Sequence, residues 1–443
     1  MGYKIGIDVG GTFTDFLLVD DEGSVMIFKT PSTPQNPSLG VINGFKEMSL
    51  TQKITLQQFL CQVDVIVHGT TITTNAVLTK NFVKTGFITT KGFRDYLATR
   101  RGLKGSVYNP KESPPEPIVP RKLRQTIEER VDCEGKIFIP LKEKDVFSAV
   151  EVFRKENVEA VAVNFMFSFA NPVHEHKVAQ ILGKKLPDAY VCISSDVLPQ
   201  VRMYERASTT VLNACLGPVL RRYIMSLLKI FSDDNFAGIL LIMQSNGGMM
   251  APEMAMDLAV NTLLSGPAGA PKAGVFFGDL HNVRDFITID MGGTSFDACL
   301  VINGQPEVTG ESEINHYRVA TQAIAIQTIG AGGGSIAQLD DRGILCVGPQ
   351  SAGSSPGPVC YGMSGTEPTV TDANLALGLI NPDFFLGGRM KIYPEKAEES
   401  IEKKIAHPLE LGLLDAAYGI YMVVNSSMAQ GVRLASAEKG YDP

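Results

Sequence analysis

The stretch IGIDVGGTFTDFLLV (residues 5–19) returns, with few changes, as ITIDMGGTSFDACLV (287–301). Asp8 corresponds to Asp290, Gly10-Gly11-Thr12 to Gly292-Gly293-Thr294, Asp15 to Asp297, and Val19 to Val301. Each copy sets a carboxylate near the end of a short β-branched run and follows it with a Gly-Gly-Thr turn. Glycine permits a tight turn there and leaves no Cβ in the path of an approaching anion. The backbone N–H groups of such a turn, with the hydroxyls of Thr12 and Thr14, can hold phosphate oxygens. Asp8 stands where it could hold Mg²⁺ through water, since Mg²⁺ takes few carboxylates and keeps several waters. The other reading of one copy is an ordinary β-hairpin, because a lone glycine-rich loop is a weak signal. Duplication favours phosphate chemistry.

Other residues invite chemistry less strongly. His68-Gly69-Thr70-Thr71 follows the apolar run 63–67, so its polar groups should emerge at a strand end, where α/β proteins bind ligands. Thr70, Thr71, Thr73, Thr74 and Asn75 crowd hydroxyls and an amide at that point, or cap the helix that follows. The loop 330–335 (GAGGGS) is a second anion-friendly element, or a plain connector. Ser265-Gly266-Pro267-Ala268-Gly269 could end one segment and open a helix, its small residues allowing close approach. His174 and His176 look metal-like, yet Asn171-Pro172 reads as a helix start, and residues two apart on a helix do not share a face. A surface helix is the better reading. Arg94, Arg100, Arg101 and Lys104 sit before a proline-rich run (Pro110, Pro114, Pro115, Pro117, Pro120), which favours a solvated loop. No Ser/His/Asp triad is recognisable by spacing.

The paired Asp-x-Gly-Gly-Thr hairpins resemble the two phosphate motifs of the actin, sugar-kinase and Hsp70 superfamily. Within it the chain resembles the hydantoinase A/5-oxoprolinase family, which includes ATP-dependent hydantoinases, oxoprolinases and the ATP-binding subunits of acetone and acetophenone carboxylases. The likeness runs through HGTTITTNAVL (68–78), GFRD (92–95), ERASTTVLNA (205–214), QSNGG (244–248) and LSGPAGA (264–270). It continues in IDMGGTSFD (289–297), IGAGGGSIA (329–337), GPQSAGSSPGPVCYG (348–362) and PTVTDANLALG (368–378).

That resemblance implies an α/β protein with two RNase H-like lobes of the actin-like ATPase fold, and ATP in the cleft between them. It implies ATP-dependent hydrolysis of a cyclic amide of the hydantoin or 5-oxoproline type, with the γ-phosphoryl group transferred to the carbonyl oxygen. Positioning and charge neutralisation are then the protein's task. The alternatives are an ATP-binding subunit of a ketone carboxylase and a small-molecule kinase of the same superfamily. On this view Asp8 and Asp290 organise Mg²⁺ and the attacking group. Gly10, Gly11, Thr12, Thr14, Gly292, Gly293 and Thr294 cradle phosphates, and Gly332 and Gly333 lie near substrate or phosphate. Asp15 and Asp297 are further candidates that could instead pin the turns. The implied partners are a cyclic amide or ketone and a second, hydantoinase B-type subunit, in a homo- or hetero-oligomer. The family's adenosine turn, Phe-Gly-Gly-Ala-Gly-Pro, follows a segment like the one at 432–443. The expectation is therefore a C-terminally truncated chain with an incomplete second lobe and weak nucleotide binding.

The elements that must position these residues follow from composition and periodicity. At 443 residues the chain suits two to three domains, with 44% hydrophobic and 20% charged residues typical of a globular protein. A net charge of -7 argues against nucleic acid or an anionic membrane as the main partner. Seven cysteines without a C-x-x-C pair point to cytoplasmic thiols rather than a disulfide framework. Lys4 and Asp8 interrupt any signal-like apolar core, and no apolar run is long enough for a transmembrane helix. Residues 1–190 are expected to form the family's N-terminal domain and 195–443 its hydantoinase A domain, with the lobe boundary near 285. Strand and turn patterns mark 5–19, 287–303 and the stretch GILLIMQSNGG, and a buried strand lies in VEAVAVNFMFSF. Helical spacing marks 143–156, 172–185, 200–230, 395–405 and 412–437, with another helix opening at Thr371 or Asp372. Residues 80–140 contain an irregular, proline-rich insertion, and AYVCISSDV is strand-like.

Overall fold

The computed structural model describes residues 2–10, 13–33, 36–102, 111, 115–388 and 390–442. Gly11 and Thr12 of the first turn, and Lys104, Pro110 and Pro114, lie outside the described residues. The chain divides into two compact units, one of Met1–Gly266 with Val308–Ala323 and one of Pro267–Glu307 with Ile324–Pro443.

The first unit begins with β1 (Tyr3–Val9), whose Tyr3, Ile5, Ile7 and Val9 turn inward in strict alternation. β1 pairs antiparallel with β2 (Phe13–Asp20), and β2 with β3 (Val25–Pro31). The next helices are α1 (Pro37–Thr51) and α2 (Leu56–Leu60); then β4 (Val63–Thr70) runs parallel to β1 and leads into α3 (Ile72–Leu78). α1 meets β2 at a glycine: a Cβ on Gly44 would fall 2.1 Å from Cζ of Phe16.

The second sheet contains the strand expected in VEAVAVNFMFSF, but also strands that the sequence does not mark. β5 (Thr85–Thr90) lies inside the stretch read as irregular, yet all six of its residues are buried. It is followed by α4 (Tyr96–Thr99), β6 (Arg124–Ile127) and the small pair β7 (Arg130–Val131) and β8 (Ile137–Ile139). Then come α5 (Glu143–Lys155), β9 (Ala160–Asn164), α6 (Val173–Lys185), β10 (Tyr190–Ile193) and α7 (Ser194–Val197). The order β10-β9-β5-β6 is parallel throughout.

α8 (Met203–Asp233) joins the two cores of this unit. Leu212, Cys215, Leu216, Leu220 and Ile224 belong to the cluster of the first sheet, and Ala207, Val211 and Ala214 to that of the second. β11 (Ile239–Met243) then pairs with β4, β12 (Met249–Met250) turns back on it, and α9 (Pro252–Asp257) follows. Among the described residues the first sheet is ordered β12-β11-β4-β1-β2-β3.

The second unit opens with α10 (Gly269–His281) and repeats the hairpin as β13 (Phe286–Met291) and β14 (Phe296–Ile302). β15 (Gln305–Pro306) and the strand Ile326–Ile329 pair with the other side of β14, so β13 is an edge among the described residues. α10 covers the face of Phe286 and Thr288, since a Cβ on Gly274 would stand 2.3 Å from Cγ2 of Thr288. α11 (Val370–Ala376), α12 (Pro394–Ile401) and α13 (Leu413–Ser436) build a core with Phe296 and Ala298, against which Ile287 also packs. Among the described residues no helix is long and apolar enough to cross a membrane.

Candidate functional site

The first hairpin holds its turn from the β3 side. The Gly10 N–H donates to the Phe13 carbonyl at 3.0 Å, and the Ser32 hydroxyl donates to the Gly10 carbonyl at 2.8 Å. Thr14, expected to reach phosphate, is fully buried with its hydroxyl 3.1 Å from that of Ser32. Its place differs from the expectation because β-strand alternation turns Thr14 inward, where it braces the turn. Asp8 is exposed on β1, opposite Asp15 on one side and Gly69 on the other. A Cβ on Gly69 or Gly266 would stand 3.5 or 3.3 Å from Oδ1 of Asp8, so a side chain at either position would touch this carboxylate. Asp15 does not pin the turn; it forms a 2.6 Å ion pair with Lys29 across the sheet.

His68 is not at the strand end. It lies inside β4, wholly buried, with Nε2 2.6 Å from the Tyr223 hydroxyl. Burial pushes its pKa down to about 4, opposed by the Ile7 carbonyl, so the ring is neutral near pH 7. Thr71 is more exposed and donates to the Val9 carbonyl at 2.8 Å, tying the start of α3 to the first turn.

The second turn is assembled by the glycine loop. Gly333 and Gly334 N–H groups donate to the carbonyls of Gly292 and Gly293 at 3.1 and 2.7 Å. Gly332 N–H donates to the Ser335 hydroxyl at 2.9 Å. All three loop amides are thus used internally, so the loop buttresses the hairpin, a role its sequence did not reveal. A Cβ on Gly332 would sit 2.7 Å from the Thr294 nitrogen and 2.8 Å from the Gly292 oxygen. Gly292, Gly293 and Thr294 are exposed, and the Gly292 N–H is taken by the Ser295 carbonyl at 2.9 Å. The amides of Gly293 and Thr294 have no partner among the described residues.

Asp290 is exposed on β13 opposite Asp297. Asp297 accepts a hydrogen bond from Thr328, yet burial, with repulsion from Asp290, holds its carboxyl above the usual range. Among the described residues no three His, Cys, Asp or Glu side chains cluster closely enough to hold a metal.

Several motif residues prove to be structural. Arg206 is buried and donates to Asn164 Oδ1, the Gln200 carbonyl and the Phe165 carbonyl. Asn213 bridges the Asp257 carbonyl and the Val260 N–H. QSNGG closes the turn between β11 and β12, with Gly247 at φ 75. His174 is buried against Glu129 at 2.8 Å, whereas the reading of a surface helix suits only His176. Arg100 likewise turns inward to the Tyr204 hydroxyl and the His316 carbonyl.

Sequence reasoning also missed a cavity of about 520 Å³ at the carboxyl ends of β1, β3 and β4. Gly10, Ser32, Asn36, Thr71, Asn75 and Arg222 contribute to its wall. The only signal for it was positional, the crevice rule for open α/β sheets; Arg222 lies in no motif.

Residues 4–186 match the hydantoinase/oxoprolinase N-terminal region, and residues 206–443 match hydantoinase/oxoprolinase. The chain is 43% identical over 443 residues to the caprolactamase subunit alpha of Pseudomonas jessenii, covering 100% of this chain and 64% of that protein. The crystal structure of the ATP-dependent caprolactamase from Pseudomonas jessenii aligns with a TM-score of 0.86 at 43% identity, over 100% of this chain and 64% of that chain. A nucleotide-free acetone carboxylase structure aligns with a TM-score of 0.87 at 28% identity, with the same two coverages. The chain therefore spans less than two thirds of the length of these relatives. It has the α/β actin-like ATPase fold that those structures share, and it belongs to the hydantoinase/oxoprolinase family.

Proposed function

We propose that this chain is the ATP-binding, carbonyl-activating part of an ATP-dependent hydrolase of cyclic amides, of the hydantoin or 5-oxoproline type. The observation that carries this reading is the second turn. Its carbonyls are fixed by Gly333 and Gly334, while the exposed Gly293 and Thr294 amides are left for an anion. Gly332 fits the same purpose, since any larger residue would push the turn out of shape.

Gly293 and Thr294 would hold phosphate here, while Gly292 and, at the first turn, Gly10 shape the turns by donating their own N–H groups to the Ser295 and Phe13 carbonyls. Gly11 and Thr12 would hold phosphate at the first turn as sequence expectations. Asp8 and Asp290 would hold Mg²⁺ through water, because each is an exposed carboxylate and no clustered set of ligands for an all-protein site surrounds it among the described residues. Bound ATP would supply the phosphoryl group that makes an unstrained amide carbon electrophilic. The chain's own part is to fix the amides, exclude competing contacts and place the two carboxylates.

We read the units as two RNase H-like lobes, the second incomplete, its unpaired β13 edge supporting that view. Residues 1–190 and 195–443 would be the family's two sequence domains. A hydantoinase B-type partner is part of the proposal, supported by a relative that is itself named a subunit. The likeness to acetone carboxylase favours one second reading, an ATP-binding subunit of a ketone carboxylase.

The test uses the complex purified from its native source, assayed for Mg²⁺- and ATP-dependent opening of hydantoin and 5-oxoproline. Asp8→Asn and Asp290→Asn should each lower the rate by roughly 10²-fold or more while the chain stays folded. Full activity in both variants would remove the assignment.

A further inference from the structure

The cavity at the carboxyl ends of β1, β3 and β4 reaches Gly10 of the first turn, and the hydroxyls of its wall are already committed. Those of Ser32, Thr33 and Thr71 donate to the carbonyls of Gly10, Asn36 and Val9 at 2.8, 2.6 and 2.8 Å. Ser38 donates to Asn36 Oδ1 at 2.6 Å, so in its 3.1 Å contact with Ser226 the Ser226 hydroxyl is the donor. A hydroxyl has a single hydrogen to give, and each of these gives it to the protein. Arg222 is different. Among the described residues it is the one cation of the wall, no carboxylate accompanies it there, and its guanidinium has no hydrogen-bond or ion-pair partner. Its neighbour Arg221, by contrast, lies 3.9 Å from Asp257.

Arg222 also stands on an anchored stretch of α8. Beside it, Tyr223 is buried with its hydroxyl 2.6 Å from His68 Nε2 on β4, and one turn further on Ser226 is tied to Ser38 of α1. These contacts fix the rotation of the helix, so a rigid element delivers the guanidinium to the cavity. An anion entering beside Gly10 would meet no uncommitted hydroxyl among these and one free guanidinium, whose planar fork matches phosphate oxygens. We propose that Arg222 is a further catalytic residue, holding the oxygens of the phosphoryl group as that group passes to the acceptor. In that step the bond from phosphorus to the ADP oxygen breaks, its electron pair stays on ADP, and a bond from phosphorus to the amide carbonyl oxygen forms. Arg222 gives up no proton; its fixed charge offsets the charge spread over the phosphoryl oxygens. The proposal rests on the reading above that the chain activates a carbonyl with ATP.

The experiment is calorimetric titration of the native complex with Mg·ADP, alone and with aluminium fluoride, which mimics a phosphoryl group in transfer. Aluminium fluoride should tighten wild-type binding of Mg·ADP by about 100-fold, as a transition-state mimic does. Arg222→Gln should cut that gain to about tenfold or less while leaving the affinity for Mg·ADP alone unchanged. Arg222→Lys, which keeps the charge without the fork, should fall between the two. In turnover, Arg222→Gln should lower kcat by roughly 10²-fold with little change in KM for ATP. No gain from aluminium fluoride in the wild type, a gain undiminished in Arg222→Gln, or an equal loss of affinity for Mg·ADP alone would each overturn the proposal. The two readings fail differently. A wild-type complex that binds no Mg·ADP overturns the functional reading and this one with it, whereas an active wild type with an insensitive Arg222→Gln overturns only this one.

Discussion

A methyl group added at Gly332 would stand 2.7 Å from the Thr294 nitrogen and 2.8 Å from the Gly292 carbonyl oxygen, backbone atoms that cannot swing aside. Gly293, only one residue from that carbonyl, would have nothing within 4 Å of its Cβ. Gly332→Ala should therefore destabilise the chain by about 1–3 kcal/mol, as overpacking does. Gly293→Ala should stay within about 0.5 kcal/mol while weakening Mg·ATP binding through the methyl beside the open amides. Thermal unfolding and calorimetry would read the two effects separately. His68 makes a second residue-scale case. Its pKa of about 4 in the fold lies below the ordinary 6.5, so folding disfavours its protonation. The stability this group contributes is complete above pH 6.5 and is lost as pH falls toward 4, by up to about 3 kcal/mol. Urea unfolding between pH 7 and 4 should show that slope, and His68→Gln should flatten it. An identical slope in the variant would exclude His68 as its source.

The start of α11 shows how an element fixes the site. Asp372 is fully buried and accepts hydrogen bonds from the N–H groups of Val359, Cys360 and Thr369 at 3.2, 2.8 and 2.9 Å, and from the Thr369 hydroxyl at 2.8 Å. One residue earlier, Thr371 donates its N–H and hydroxyl to the Gly333 carbonyl at 2.7 and 2.8 Å, and Gly333 in turn holds Gly292. Asp372→Ala would leave three buried amides unsatisfied. It should cost about 3 kcal/mol or more and also weaken nucleotide binding, although Asp372 lies outside the turn. Undiminished stability by chemical unfolding would refute the linkage. The helix itself was legible, but its start was placed at Thr371 or Asp372, whereas Thr369 is the cap and Val370 the first helical residue. Amphipathic helices were easiest to read: spacing gave 143–156 and 412–437, and the structure has Glu143–Lys155 and Leu413–Ser436. β5 was missed because a strand buried on both faces shows no alternation, and TGFITT has little else to mark it. The twin turns were visible in sequence because they repeat. Whether the amides of Gly332, Gly333 and Gly334 were open or spent was not, since their acceptors include carbonyls some forty positions away along the chain.

At the scale of the molecule, the second unit presents an open sheet edge among the described residues. β13 pairs only with β14 among the described residues, so its outer edge offers unpaired N–H and C=O groups. Ile289 and Met291 on that strand are 63% and 42% exposed, and Phe276, Phe277 and Leu280 of α10 are each about 60% exposed. Single exposed apolar residues need no explanation, but apolar side chains beside an open sheet edge favour association. The edge is short and has neither proline nor lysine to blunt it. The chain in isolation should therefore self-associate at micromolar concentration, giving species heavier than its 47.9 kDa in light scattering coupled to size exclusion. Ile289→Lys should shift that population toward the single chain, because a charge on an edge strand is costly to bury in a strand-to-strand contact. Its melting temperature should barely change, since the side chain is already mostly in water. A wild-type chain that stays at its own mass across the concentration range would show that the edge is not adhesive. Association that persists unchanged in Ile289→Lys would move the contact to another surface.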